Sequence, residues 1–146
     1  KPRVQQASTA RAKIPDSTPK LSGNGRFMKP VNGRIISEFG PKAGGLHNDG
    51  INIQAVRGTA VRAAENGVVV YTGDDLKSYG NLILVRHDGG LMSAYAHLDK
   101  TLVNRGMKIT RGQSIGTVGS TGQVNAPQLH FEIRKGSTPL NPTKYL

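Results

Sequence analysis

The sequence predicts a mostly β domain, an antiparallel β-sheet core of short strands joined by long loops. Three observations point there. Short runs rich in Val, Ile and Thr alternate apolar and polar residues, the period of a strand with one buried face. Two pairs of such runs meet at hairpin signals, Asn66-Gly67 and Asp88-Gly89-Gly90. Nineteen glycines in 146 residues, with no sustained helical period, suit tight turns better than helices.

Residues 1–26 hold six Lys or Arg, one acidic residue (Asp16) and three prolines, with almost no bulky apolar residues. Such a composition buries too little surface to offset the entropy of ordering. Residues 1–26 are therefore expected to be a basic, disordered linker, and residues 27–146 the domain. A chain that starts at Lys1 and not at methionine is expected to be a piece of a longer or processed protein. Within the domain, 33–40 reads as a first strand, 41–49 as a loop with paired glycines, and 50–54 as an alternating strand. Residues 60–64 and 67–72 read as a strand pair turned at Asn66-Gly67, and 81–88 and 91–98 as a second hairpin. Gly106, Gly112 and Gly116 bracket strands only a few residues long. Pro139-Leu140-Asn141-Pro142 rules out a helix or a central strand and lays the tail across the surface.

With 36% hydrophobic residues the chain can bury a single core. It has no cysteine, so neither a disulfide framework nor thiolate chemistry is available. No apolar run approaches the ~20 residues of a membrane span. The net charge of +11 implies attraction to an anionic partner. Aromatics are only 5%, and no basic helix or aromatic-studded basic strand is visible, which argues against nucleic acid. A polymer carrying carboxylates or phosphates, or an acidic protein surface, fits the charge instead.

The chemistry concentrates on the strand Gln128-Leu129-His130-Phe131-Glu132-Ile133-Arg134. Gln128 and His130 point to one face, Leu129 and Phe131 to the other. A metal site of the H-x-H type would present two imidazoles there, and this strand presents one. The other histidines are His47, His87 and His97. His87 adjoins a hairpin turn and is read as structural. His97 is expected to share a strand face with Ser93 and Tyr95, and to project beside His130.

Asn48-Asp49-Gly50-Ile51-Asn52-Ile53, Tyr95-Ala96-His97-Leu98, Gly119-Ser120-Thr121-Gly122 and Gln128-Leu129-His130-Phe131-Glu132-Ile133 fall in the order of the LytM-type zinc peptidases, relatives of lysostaphin. Residues 27–146 resemble that family, with 58–67 similar to the segment before its groove. The resemblance implies a LytM/lysostaphin-like fold of the duplicated hybrid-motif type, with loops walling a groove. Its active members cut peptide cross-links in bacterial cell wall. In the family's motifs, H-x-G-[IV]-D, Tyr-x-His and H-x-H, the first His, the Asp and the last His bind zinc, and the other two histidines activate water and stabilise the oxyanion. Carried over, Asn48 stands at the first ligand, Asn52 at the aspartate and His130 at the third ligand. His97 matches one catalytic histidine, and Gln128 replaces the other.

Catalytic zinc needs about three protein ligands to make its bound water acidic. Asn48 and Asn52 offer neutral amides where an imidazole and a carboxylate are needed, and Gln128 cannot relay a proton near neutral pH. Zinc is therefore expected to be absent, and no cofactor is expected. One alternative keeps a metal: a shifted loop offering His47, Asp49 and His130 as ligands, at odds with the register set by Gly50-Ile51-Asn52.

With its ending Leu140-Asn141-Pro142-Thr143-Lys144-Tyr145-Leu146 and its run Tyr79-Gly80-Asn81-Leu82-Ile83-Leu84-Val85, the chain resembles the murein-hydrolase activators of Gram-negative division, whose LytM-type domains are degenerate. The resemblance implies a periplasmic activator of cell-wall amidases or other peptidoglycan hydrolases, with peptidoglycan itself as a second candidate partner. Asn48, Asn52, His97, Gln128 and His130 would line the groove that receives a segment of an autoinhibited hydrolase. A basic rim of Lys42, Arg57, Arg62, Lys77 and Arg105 would suit an acidic element of that partner. The alternatives are a wall-binding module without activator role and a zinc endopeptidase with unusual ligands.

Overall fold

The computed structural model describes residues 13–146. Twelve strands follow in order: β1 (Ile35–Ser37), β2 (Gly40–Pro41), β3 (His47–Asn48), β4 (Ile51–Gln54), β5 (Ala60–Arg62), β6 (Gly67–Gly73), β7 (Asn81–Arg86), β8 (Leu91–Thr101), β9 (Lys108–Ile109), β10 (Ser114–Val118), β11 (Gln128–Lys135) and β12 (Thr138–Leu140). Single 3₁₀ turns separate some of them, and no α-helix occurs among the described residues. Ten strands form one antiparallel sheet, ordered β1-β4-β11-β8-β7-β6-β9, with β12 on β11 and β10 on both β5 and β8. β2 and β3 form a separate two-stranded hairpin.

β11 sits near the centre because its alternate residues are apolar. Leu129, Phe131 and Ile133 are fully buried on its back face. They pack in one core with Ile51 and Ile53 of β4 and Tyr95 and Leu98 of β8. Each such side chain contributes roughly 1.5–3 kcal/mol through burial.

β8 carries an irregularity that decides the front face. Asn81 lies opposite Leu98 and Ile83 opposite Tyr95, so Leu82 alone faces both Ala96 and His97. That is a β-bulge, and His97 takes the left-handed φ of 65° within it. The extra residue resets the alternation. Tyr95 and Leu98 both belong to the core, whereas Ala94 and Ala96 pack with Leu82 on the opposite face. The expectation that Ser93, Tyr95 and His97 share a face is thus corrected: Ser93 and Tyr95 are buried towards the core, and only His97 reaches the front. The bulge also marks a change of partner: pairing with β11 ends at Ala96 and pairing with β10 begins at Leu98, while β7 pairs on both sides of it.

The β7–β8 hairpin forms as expected, with Arg86 opposite Met92. The first expected hairpin does not. β5 pairs with β10, and β6 pairs with β7 and β9, so Asn66-Gly67 is a crossing between strands and not a turn. Gly67 serves a close approach, because a Cβ there would stand 2.5 Å from the Arg86 carbonyl oxygen. The expected loop 41–49 contains the β2–β3 hairpin, and Pro139 lies in the edge strand β12 opposite Arg134. His87 is buried: its Nδ1 is 2.8 Å from the Asn66 carbonyl oxygen and its Nε2 is 2.7 Å from Ser93 Oγ.

Residues 1–12 of the expected linker lie outside those described. Residues 13–26 carry no strand, yet they lie against the domain as a strap. Glu65, 1% exposed, accepts from the Ser22 N–H (3.1 Å), the Ser22 hydroxyl (2.8 Å) and the Gly23 N–H (2.7 Å). The Asn66 N–H (2.8 Å) and Arg111 Nη1 (3.0 Å) complete its shell. Burial pushes the Glu65 carboxyl up, but the hydrogen bonds from Asn66, Ser22 and Gly23 outweigh burial and hold it below the ordinary carboxylate value. Farther out, Arg86 donates to Thr18 Oγ1 (3.0 Å) and to the Pro15 carbonyl. The far end of the chain meets this strap: the Phe27 N–H donates to the Tyr145 carbonyl (2.6 Å) and Arg26 Nη1 to the Leu146 carbonyl (2.9 Å).

Candidate functional site

The front of β11 and β4 assembles the candidate site. Alternation puts Gln128, His130, Glu132 and Arg134 on one side of β11, and the register sets Asn52 opposite His130. Asn48 arrives from β3, His97 from the bulge in β8, and Tyr79 from the loop before β7.

A directed chain of hydrogen bonds joins them. The Gly50 N–H donates to Asn48 Oδ1 (3.0 Å), so the Asn48 amide turns its Nδ2 to Ser37 Oγ (2.8 Å) and Asn52 Oδ1 (3.1 Å). Gln128 Nε2 donates to the Ala126 carbonyl (3.1 Å), so its Oε1 accepts from Asn52 Nδ2 (2.8 Å). Asn52 is therefore fixed from both sides, with Oδ1 also 3.0 Å from His130 Nδ1. An amide oxygen only accepts, so Nδ1 donates. The other ring nitrogen, Nε2, lies 2.7 Å from Glu132 Oε2.

Glu132 is 2% exposed. It also accepts from the Tyr79 hydroxyl (2.8 Å) and Arg134 Nε (2.7 Å). Burial alone would raise its pKa, but the hydrogen bonds from His130 and Arg134 prevail and keep it below the usual carboxylate range. Burial, reinforced by the neighbouring Glu132 charge, pushes the Tyr79 phenol up to about 12, so it stays a donor. Arg134 continues the chain to Asp49 Oδ2 (3.4 Å), and Asp49 Oδ1 lies 3.0 Å from His47 Nδ1. His47 and Asp49, proposed ligands of a shifted metal site, thus face each other near the surface, and His130 is turned to Asn52 and Glu132. Among the described residues no group of three or more His, Cys, Asp or Glu is arranged to hold a metal ion.

Asn48, Asn52, His97 and His130 line one cavity of about 280 Å³, together with His47 and Tyr79, and Gln128 meets it through Asn52. A second, apolar trough of about 280 Å³ shares Tyr79 and Glu132 with it and is floored by Leu82, Leu84, Met92 and Ala94, with Leu76 at its lip. His97 Nδ1 lies 2.8 Å from the Thr121 carbonyl oxygen, and its ring centroid is 6.0 Å from that of His130. Burial lowers its pKa, against the opposing pull of the Thr121 hydrogen bond.

None of the five rim candidates lines the cavity. Arg57 is held by Asp99 (3.3 Å) and Ser120 (2.6 Å), and Arg62 donates to the Gly112 carbonyl (3.1 Å). Arg105 is exposed in the turn before β9. Lys77 precedes Ser78 of the cavity wall, and Lys42 is exposed in the hairpin that carries His47. Sequence reasoning did not single out Glu132, Arg134, Tyr79 or Thr121. The first two carried a signal, because they continue the alternation of Gln128 and His130. Tyr79 and Thr121 come from loops; Thr121 lay within the Gly119-Ser120-Thr121-Gly122 motif, but nothing local pointed to its carbonyl or to the Tyr79 hydroxyl as groove groups.

A profile described as peptidase family M23 matches residues 46–142. The cell division protein DipM of Caulobacter vibrioides is 46% identical over 123 residues, covering 84% of this chain and 20% of that protein. The murein hydrolase activator NlpD of Escherichia coli is 44% identical over 117 residues, covering 80% of this chain and 30% of that protein. The chain spans less than a third of either relative's length. The catalytic domain of the antimicrobial peptidase lysostaphin from Staphylococcus simulans shares the fold with a TM-score of 0.72 at 32% identity, over 78% of this chain and 92% of that one.

Proposed function

This chain belongs to peptidase family M23, and we propose that its domain activates peptidoglycan hydrolases during cell division in place of cutting peptides itself. The observation that carries this reading is the closed hydrogen-bond chain at the ligand positions. A zinc ion does not fit these residues: Asn48 and Asn52 spend their amides on Ser37, Gly50, Gln128 and each other, and both ring nitrogens of His130 face acceptors. Amide oxygens are poor zinc ligands, and His130 alone falls short of the three or so protein ligands that a catalytic zinc takes. The same bonds rigidify the groove without closing it, which is what a recognition surface needs.

The partner is a cell-wall amidase held inactive by its own regulatory segment, met in the periplasm at the division site. Relatives named for cell division and for murein hydrolase activation support a hydrolase partner and a role in division. The groove, with its apolar trough alongside, binds that segment in the open form of the amidase and shifts the equilibrium towards it.

The test is dye release from labelled purified wall by a division-associated amidase, with and without the domain. The expected result is stimulation with no release by the domain alone, and no heat of binding on zinc titration. Release by the domain alone, or a tight zinc site lost in His130→Ala, overturns the reading, as does failure to stimulate any amidase of the same organism.

A further inference from the structure

On the floor of the groove, the side chains around the family's ligand positions are spent on one another. Asn48, Asn52, Gln128, His130, Glu132 and Tyr79 all have partners within it or beside it. His97 differs. Its Nδ1 faces the Thr121 carbonyl, which can only accept, so that nitrogen carries the ring proton. Nε2 is left as a lone-pair acceptor, with no hydrogen-bond partner among the described residues. Thr121 is itself pinned, its hydroxyl donating to the Leu98 carbonyl (2.8 Å) and accepting from the Asn81 N–H (3.1 Å), so the tautomer is built into the fold. The strained left-handed backbone at His97 is what aims the ring into the cavity.

We infer that His97 is a specificity-determining residue: its Nε2 accepts a hydrogen bond from an N–H or O–H donor on the segment that docks in the groove. This rests on the recognition function proposed above. A carboxylate at that point would set its lone pairs against that of Nε2, so the segment must place a hydroxyl, an amide or a cationic group there. Acidic residues of the partner, if they meet Lys42 or Lys77, do so outside the cavity.

Two measurements test it. In the free domain, nitrogen-15 spectra of the histidine rings should show His97 as the Nδ1–H tautomer with a bare Nε2. A protonated Nε2 overturns the inference whatever any amidase does. On adding an amidase that the wild type stimulates, the His97 Nε2 resonance should shift as a hydrogen-bond acceptor does while Nδ1 stays protonated. His97→Gly removes the acceptor and suits the left-handed backbone, so binding should weaken about tenfold with little change in thermal midpoint, and added imidazole should restore part of it. Unchanged binding by this variant overturns the inference and leaves the activator reading standing. A wild type that binds no amidase overturns both.

Discussion

Two buried glutamates stand in this domain, and they are satisfied in opposite ways. Glu65 and Glu132 are 1% and 2% exposed, and each has an arginine partner. Most donors to Glu65 are backbone N–H groups of Ser22, Gly23 and Asn66, fixed in place only if the strap adopts one path. Every donor to Glu132 is a side chain, from Tyr79, His130 and Arg134. A carboxylate bound by backbone locks chain geometry, and sequence changes nearby cannot retune it. One bound by side chains can be retuned residue by residue, and that is the kind found in the groove.

The comparison is broken or sharpened most strongly at Glu132. Glu132→Ala leaves the buried His130 imidazole and Arg134 without their acceptor, and denaturant unfolding should show a loss of about 3–5 kcal/mol. It should also reduce amidase stimulation. Glu65→Gln keeps the shape but turns an amide N–H against donors, and the expected loss is about 2–3 kcal/mol. It should make residues 13–23 newly sensitive to limited proteolysis while leaving stimulation intact. Equal damage to stimulation by both variants would erase the distinction between lock and recognition site.

Gly23→Ala probes the lock by shape alone. A Cβ there would lie 2.2 Å from Arg111 Nη1 and from the Arg26 carbonyl oxygen. Overpacking of that kind costs roughly 1–3 kcal/mol, and proteolysis of the strap should again report it.

Acid should weaken both clusters. Both carboxyls are depressed in the folded chain, so the stability they supply is present above about pH 4.3, the unfolded value, and is lost as pH falls through their lower folded values. His87 adds an earlier limb: burial lowers its pKa despite the Asn66 hydrogen bond, so stability declines as pH falls from about 6.5 towards the folded value. Thermal midpoints against pH should show two steps; Glu65→Gln should flatten the acid one and, by removing a charge that favours the His87 imidazolium, extend the other to lower pH. The smallest effect is a near-cancellation. His97→Gly relieves the left-handed backbone but gives up a buried ring and its Thr121 hydrogen bond, so equilibrium unfolding should show a change of less than about 1 kcal/mol.

Strand composition and the groove motif were legible because both are local. The alternation around His130 gives the back face of β11 directly, and the spacing of Asn48, Asn52, His97 and Gln128 corresponds to side chains that the fold brings together. The pairing of β5 with β10 was not legible, since residues more than fifty positions apart choose each other through packing. Asn66-Gly67 has the composition of a turn, yet its glycine answers to the Arg86 backbone. At Ala96 and His97, a period-two reading cannot see one inserted residue, so it sent Ser93 and Tyr95 to the wrong face. Composition likewise gave no sign that residues 13–26 lie on the domain, because apart from the Ser22 hydroxyl their donors to Glu65 are backbone groups that any sequence would possess.

The meeting of residues 26–27 with Tyr145 and Leu146 sets the order of assembly. Phe27 buries its ring at an early position in the chain, but its N–H finds its acceptor 118 residues later. Glu65 and Arg111, which bind the strap and its neighbour Arg26, also come afterwards. Contacts of such sequence separation form late and slowly. The sheet can therefore form from its own hairpins first, and the strap closes over it only once residues 145 and 146 are in place.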